Sequence, residues 1–131
     1  MGLDNSIEVK RNAYTNSIPE LQRFNCDWDE KYNYNFTIVY LRKYYNVRNA
    51  ILETIPKTVD DGESEPLTIE DIGKIIGCMK QFNGRNWDDW GGSIWTWGEA
   101  KGHLRQCIKN LKALRKLMDK YDLEVVFVDS Y

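Results

Sequence analysis

The 131-residue sequence predicts an α+β domain, with a short, largely antiparallel sheet of about three strands and about three helices packed on one face. Three observations carry that reading. The segments Tyr32 to Leu41 and Leu123 to Tyr131 are dense in β-branched and aromatic residues, as buried strands are. Leu3 to Arg11 alternates apolar and polar residues with the period of a half-buried strand. Three further segments repeat apolar residues at steps of three and four, the spacing of a helix with one buried face. A chain of this length fits one domain, residues 1–131, which buries roughly two-thirds of the surface its unfolded form exposes.

In order along the chain, Leu3, Asn5, Ile7 and Val9 form the inward side of the first strand, against Asp4, Ser6, Glu8 and Lys10. Asn12 to Asn16 is turn chemistry, and Ser17-Ile-Pro-Glu20 suits a short helical turn that tolerates proline at its start. Asn25 to Lys31 reads as a polar loop anchored by Trp28. The run Tyr34, Phe36, Thr37, Ile38, Val39 and Tyr40 is expected to be the central strand, paired with the apolar C-terminal strand. Tyr44, Val47, Ile51, Leu52 and Ile55 make the next helix, stopped by Pro56. Lys57 to Pro66, with its acidic run Asp60 to Glu65, is expected to be a solvated connection.

Thr68 opens another helix as N-cap, with Glu70 and Asp71 in the first turn, where the helix dipole favours negative charge. Ile69, Ile72, Ile75, Ile76, Met79 and Phe82 form its buried stripe, and Gly84 is placed to end it. Gly73 and Gly77, four apart, imply close packing against a neighbour. A glycine-broken loop, Arg85 to Gly98, then runs into the longest helical pattern. That helix places Leu104, Ile108, Leu111, Leu114 and Met118 on one side. Lys101, Arg105, Lys109, Lys112, Lys116 and Lys120 occupy another.

A net charge of −2 argues against a general nucleic-acid binder and against an acidic DNA mimic. Cys26, Cys78 and Cys107 are odd in number and widely spaced, so neither a disulfide framework nor a zinc site is expected, and a reducing cytoplasm is the natural setting. No basic leader precedes an apolar run, and no apolar run is long enough for a bilayer; neither export nor a membrane partner is expected. Met1-Gly2 with Ser6 has myristoylation spacing, but the segment reads better as the start of a strand.

Catalytic patterns are sparse. His103 and Cys107 lie one helical turn apart, the arrangement a small hydrolase or transferase using His103 would need, yet Cys107 falls beside the apolar stripe and reads as a core residue. Trp90-Gly-Gly-Ser93 precedes a helix but lacks the lysine of a phosphate-binding loop. Asp88 and Asp89 suit turn and capping roles better than acid–base work. No cofactor, metal or catalytic set is expected, and the chain reads as non-enzymatic. Four tryptophans, Trp87, Trp90, Trp95 and Trp97, carry more information. Indoles stack on bases for about 1–3 kcal/mol each and also anchor protein interfaces. Most of the four are expected to fold over the core as a satellite cluster, with Trp90 accessible beside Gly91 and Gly92. The secondary surface is the basic face of Arg105, Lys109, Lys112 and Lys116, which suits phosphates or an acidic partner but reads first as a solvated face.

Met1-Gly-Leu-Asp-Asn5, Val39-Tyr-Leu-Arg-Lys43, Arg48-Asn49, Ser93-Ile-Trp95 and Asp129-Ser-Tyr131 together resemble a family of small uncharacterised proteins from phages and bacteria. Leu41 stands where that pattern tends to have tryptophan. The resemblance implies a phage or mobile-element accessory role and carries no activity. Arg42, Lys43, Arg48 and Asn49 are expected to begin the helix after the central strand, with Arg42 and Asn49 on one face and Arg48 turned away. The leading expectation is a cytoplasmic, non-enzymatic binding protein that inhibits or sequesters a host component, such as a defence protein, through the tryptophan loop. The alternative is a nucleotide-signal sponge and homo-oligomer, in which tryptophans stack on the ligand and Arg42, Lys43 or Arg85 hold its phosphates.

Overall fold

The computed structural model describes residues 4–24, 35–55 and 62–130, together with the backbone of 59–60. Its elements in order are β1 (Asp4–Val9), α1 (Ala13–Asn16), a 3-10 turn (Pro19–Arg23), β2 (Phe36–Arg42), α2 (Tyr45–Thr54), β3 (Val59–Asp60), β4 (Glu63–Ser64), α3 (Ile69–Lys80), α4 (Trp97–Lys120) and β5 (Val125–Ser130). The fold is α+β, as the sequence predicts. Expected loops around Trp28 and Cys26, the start of the predicted second strand at Tyr32 to Tyr34, the myristoylation pattern at Gly2, and Pro56 lie outside the described residues.

The strands form one antiparallel sheet in the order β2-β1-β5-β4-β3. Side chains alternate across a strand, so register decides what faces the helices. Ile7 stands opposite Val39 and Phe127, Val9 opposite Phe36 and Val125, and Asn5 opposite Leu41 and Asp129. That face joins Val47 and Ile51 of α2, Ile72 and Ile75 of α3, and Leu104 and Leu111 of α4 in a single core. A register shift beside Ile7 skips Ile38, which is how two consecutive residues, Ile38 and Val39, are both buried.

Two strand assignments change. β2 is an edge strand, not the central one, and β5 pairs with β1 and β4 instead of β2. The reason is visible along the open edge of β2. Asn110 Nδ2 donates to the Ile38 carbonyl, His103 Nε2 to that of Tyr40 and Trp95 Nε1 to that of Arg42, so side chains before and along α4 cover an edge that is otherwise a template for further pairing. An edge covered in this way carries the apolar density of a buried strand.

Smaller corrections follow the same chemistry. The acidic connection is partly ordered: Asp60 pairs with Glu63 across a turn whose Gly62 sits at φ 82°, β4 joins β5, and Glu63 forms an ion pair with Lys10. Asn12 to Asn16 is a helical turn closed by a reciprocal cap between Asn12 and Thr15. Thr68 caps α3 as expected, but the helix stops at Lys80, ahead of Gly84. α4 begins at Trp97, inside the predicted loop, because Thr96 and Glu99 form another reciprocal cap. Of the two α3 glycines, Gly73 lies against Arg115 and Gly77 has nothing near it.

Candidate functional site

α2 organises the surroundings of the tryptophan loop. Asn46 and Asn49, one helical turn apart, face the loop: Asn46 Nδ2 donates to the Trp87 carbonyl at 2.6 Å and Asn49 Nδ2 to the Trp90 carbonyl at 2.9 Å. Arg48 faces the sheet. Its Nε and Nη2 reach the two oxygens of Asp129 at 2.9 and 2.7 Å, a bidentate pair, while Asn5 Nδ2 donates to Asp129 Oδ1 at 2.6 Å. Arg48 Nη1 also donates to Asn49 Oδ1 at 3.2 Å, which links the two groups of bonds. Residues from four distant segments therefore form one clamp between sheet and loop, and Asn5, Asn46 and Asp129 are buried in it.

This arrangement corrects the expected helix start. Arg42 ends β2, Lys43 turns the chain through a left-handed φ of 61°, and α2 begins only at Tyr45, so Arg42 and Asn49 do not share a helix. Arg48, expected to turn away, is the inward member. Its long-range bond to Asp129 spans 81 residues, which local pattern cannot foresee.

The tryptophans are held largely by one another. Trp87 is buried and donates Nε1–H to the Trp95 carbonyl, with Phe82 edge-on at 5.4 Å and Trp97 tilted at 5.5 Å. Trp95 lies over Tyr44 at 5.8 Å, and Tyr44 lies over His103 at 5.7 Å, a short aromatic stack. Trp90 is half-buried, and its Nε1–H goes to Glu53 Oε2 at 3.0 Å. Gly91, at φ 117°, passes so close to Asn49 that a Cβ would stand 3.3 Å from its amide nitrogen. The satellite-cluster reading fits Trp87, Trp95 and Trp97.

What the loop presents outward is Ile94, which the sequence reading did not single out. It is 57 % exposed, and both its neighbours are fixed. Ser93 Oγ donates to the Lys43 carbonyl at 3.3 Å, and Trp95 holds Arg42 through its indole and Ser93 through its backbone N–H. Arg42 and Tyr45 are exposed on the segment to which the loop is docked, Lys43 is half-buried, and Arg85 is exposed in the turn formed by Asn83 to Asn86. An isoleucine between Ser93 and Trp95, in a loop otherwise marked by its tryptophans, is the local signal.

His103 Nε2 lies 2.7 Å from the Tyr40 carbonyl, which can only accept, so that nitrogen carries the hydrogen. Cys107 Sγ is 3.6 Å from the same nitrogen, and burial pushes its thiol up to about 12. That nitrogen has no lone pair available to take the thiol proton, so the pair is not poised as a nucleophile and base. Among the described residues no group of three His, Cys, Asp or Glu side chains is placed to hold a metal.

Arg105, Lys109, Lys112 and Lys116 are all exposed on the outer face of α4, as their spacing predicts. No helix among the described residues is long and apolar enough to cross a membrane. No protein-family model, curated protein or solved structure matches the chain.

Proposed function

We propose that the chain acts by binding a protein partner through the surface around Ile94, and that it inhibits or sequesters that partner without chemistry of its own. The observation that carries this reading is the fixed exposure of Ile94. An apolar side chain on a mobile loop loses conformational entropy when it docks, which reduces its contribution to affinity. Ile94 is held between two residues whose hydrogen bonds to Lys43 and Arg42 already order the segment. Exposed Arg42 and Tyr45 on the adjoining segment are of the residue types that concentrate binding energy at interfaces.

The resemblance to small phage and bacterial proteins suggests a host protein, such as a defence component, as the partner, in the cytoplasm of a bacterial cell. The nucleotide-sponge alternative has less support. Three indole N–H groups are committed within the chain, and the Glu53 carboxylate beside Trp90 repels phosphate. Hydrolysis or transfer using His103 has less again, because its Nε2–H donates to the Tyr40 carbonyl.

The test places a photo-crosslinking residue at exposed position 92, where a side chain would meet no neighbour, during expression in a bacterial host. One host protein should be captured at fixed stoichiometry, and Ile94→Asp should lower its recovery at least ten-fold, a loss of about 1.4 kcal/mol or more, with an unchanged circular dichroism spectrum. Undiminished recovery with Ile94→Asp sinks the reading. A small mass retained in native mass spectrometry and lost in Arg42→Ala would favour the sponge.

A further inference from the structure

α4 carries seven lysines and arginines against two carboxylates, in a chain whose net charge is −2. Folding concentrates that excess. Lys109, Lys112 and Lys116 from α4 and Arg23 from the 3-10 turn line a groove of about 410 Å³ whose floor includes Ala113 and Leu117. The one carboxylate at its rim, Glu20, is already held by Lys120 Nζ at 3.0 Å and by the Tyr121 hydroxyl at 3.1 Å. Among the described residues no carboxylate stands within ion-pair distance of the four lining cations. On the α3 side, the like charge of Lys80, with a smaller part from Arg115, holds the Lys112 ammonium below its usual pKa.

We propose that this groove binds a chain of phosphate groups. Ammonium groups crowded together without a counter-charge call for an anion with more than one charge and several acceptor oxygens. A phosphate group supplies both where a single carboxylate does not. Lys109, Lys112 and Lys116 rise along the helix by steps of roughly 4.5 and 6 Å, so they can meet successive phosphates, and lysine's rotatable point charge needs no fixed ligand plane. The groove lies roughly 20 Å along α4 from the Ile94 surface. It stands independently of the proposed function.

Inorganic polyphosphate and single-stranded nucleic acid share this chemistry, and titration separates them. With tripolyphosphate at low salt, amide shifts should concentrate at Arg23, Lys80, Lys109, Lys112 and Lys116, and the double variant Lys112→Gln/Lys116→Gln should bind about ten-fold more weakly. If an oligothymidylate also binds, and the double variant lowers its salt slope by about two, the source is a nucleic-acid backbone. If tripolyphosphate alone binds, it is a free phosphate chain. Both lysines are exposed, so circular dichroism should show the variant folded. Three outcomes overturn the proposal: no shifts at about 10 mM tripolyphosphate, polyglutamate binding as tightly, or an equal loss in Lys101→Gln/Arg105→Gln, which lies on the same helix outside the groove.

Discussion

In the segment Trp87 to Trp97, three of four indole N–H groups are donated within the chain, whereas Lys109, Lys112 and Lys116 on α4 have no ion pair among the described residues. Judged by residue type alone, the tryptophans are the binding groups and the lysines a solvated face. The fold engages the indole N–H groups within the chain and leaves the lysines exposed. Large aromatic side chains gain most from burial, so a glycine-rich loop packs them against Phe82 and Tyr44 and leaves Ile94 as its exposed large apolar side chain. Lysines gain little from local pairing, and their positions are set by the helix that carries them. Chemical potential on paper and availability in the fold are therefore different quantities.

The largest test of that contrast is Asp129→Ala. It leaves Arg48, whose side chain is only 16 % exposed, without its bidentate partner, and takes the acceptor from Asn5. A loss of about 3 kcal/mol in urea unfolding is expected, against no measurable change for Lys116→Ala. A loss below about 1 kcal/mol would mean that the clamp is not committed to stability, and the contrast would collapse. Trp87→Phe should come next, at about 1–2 kcal/mol, because the Trp95 carbonyl loses its donor and the ring volume shrinks. An unchanged midpoint would show that the loop does not depend on that bond.

The smallest effect sharpens the other side. The folded pKa of Lys112 lies below its unfolded value of 10.5, because the Lys80 ammonium is beside it. Repulsion is fully present below the folded pKa and relieved as pH rises toward 10.5. Lys112→Gln should therefore be slightly more stable than wild type near pH 8 at low ionic strength, and that advantage should shrink toward pH 10.5. It should vanish in about 0.5 M salt. The buried Cys107 thiol titrates in the opposite sense, losing stability above pH 9, but it is common to both proteins and cancels. An advantage that grows with pH would place the source elsewhere.

Much of the fold was legible. Alternation from Asn5 to Val9 gave the inward face of β1, Thr68 gave the start of α3, and the α4 lysines were placed on the correct face because helical spacing is local. The strand order was not legible, because side chains from α4 bury the β2 edge and make it resemble a central strand. The Asp-Gly pair at 61–62 is a hairpin signal, set among charged residues that a solvated connection also carries. At the site, the expected packing of Trp87 agrees with its burial, whereas Arg42 and Asn49 do not share a helix start. Asn5, Arg48 and Asp129 meet across separations of 81 and 124 residues, and no local spacing encodes which of them face each other.

The place of β1 between β2 and β5 has a consequence for how the chain is made. Asn5 finds Asp129 only after 124 further residues, and the Tyr40 carbonyl waits 63 residues for His103. At ordinary rates of translation that leaves β1 half-paired and the β2 edge bare for on the order of ten seconds. During that interval the nascent chain offers an open, apolar strand to its neighbours. Its yield in a cell should therefore depend on ribosome-associated chaperones more than the stability of the finished molecule would suggest.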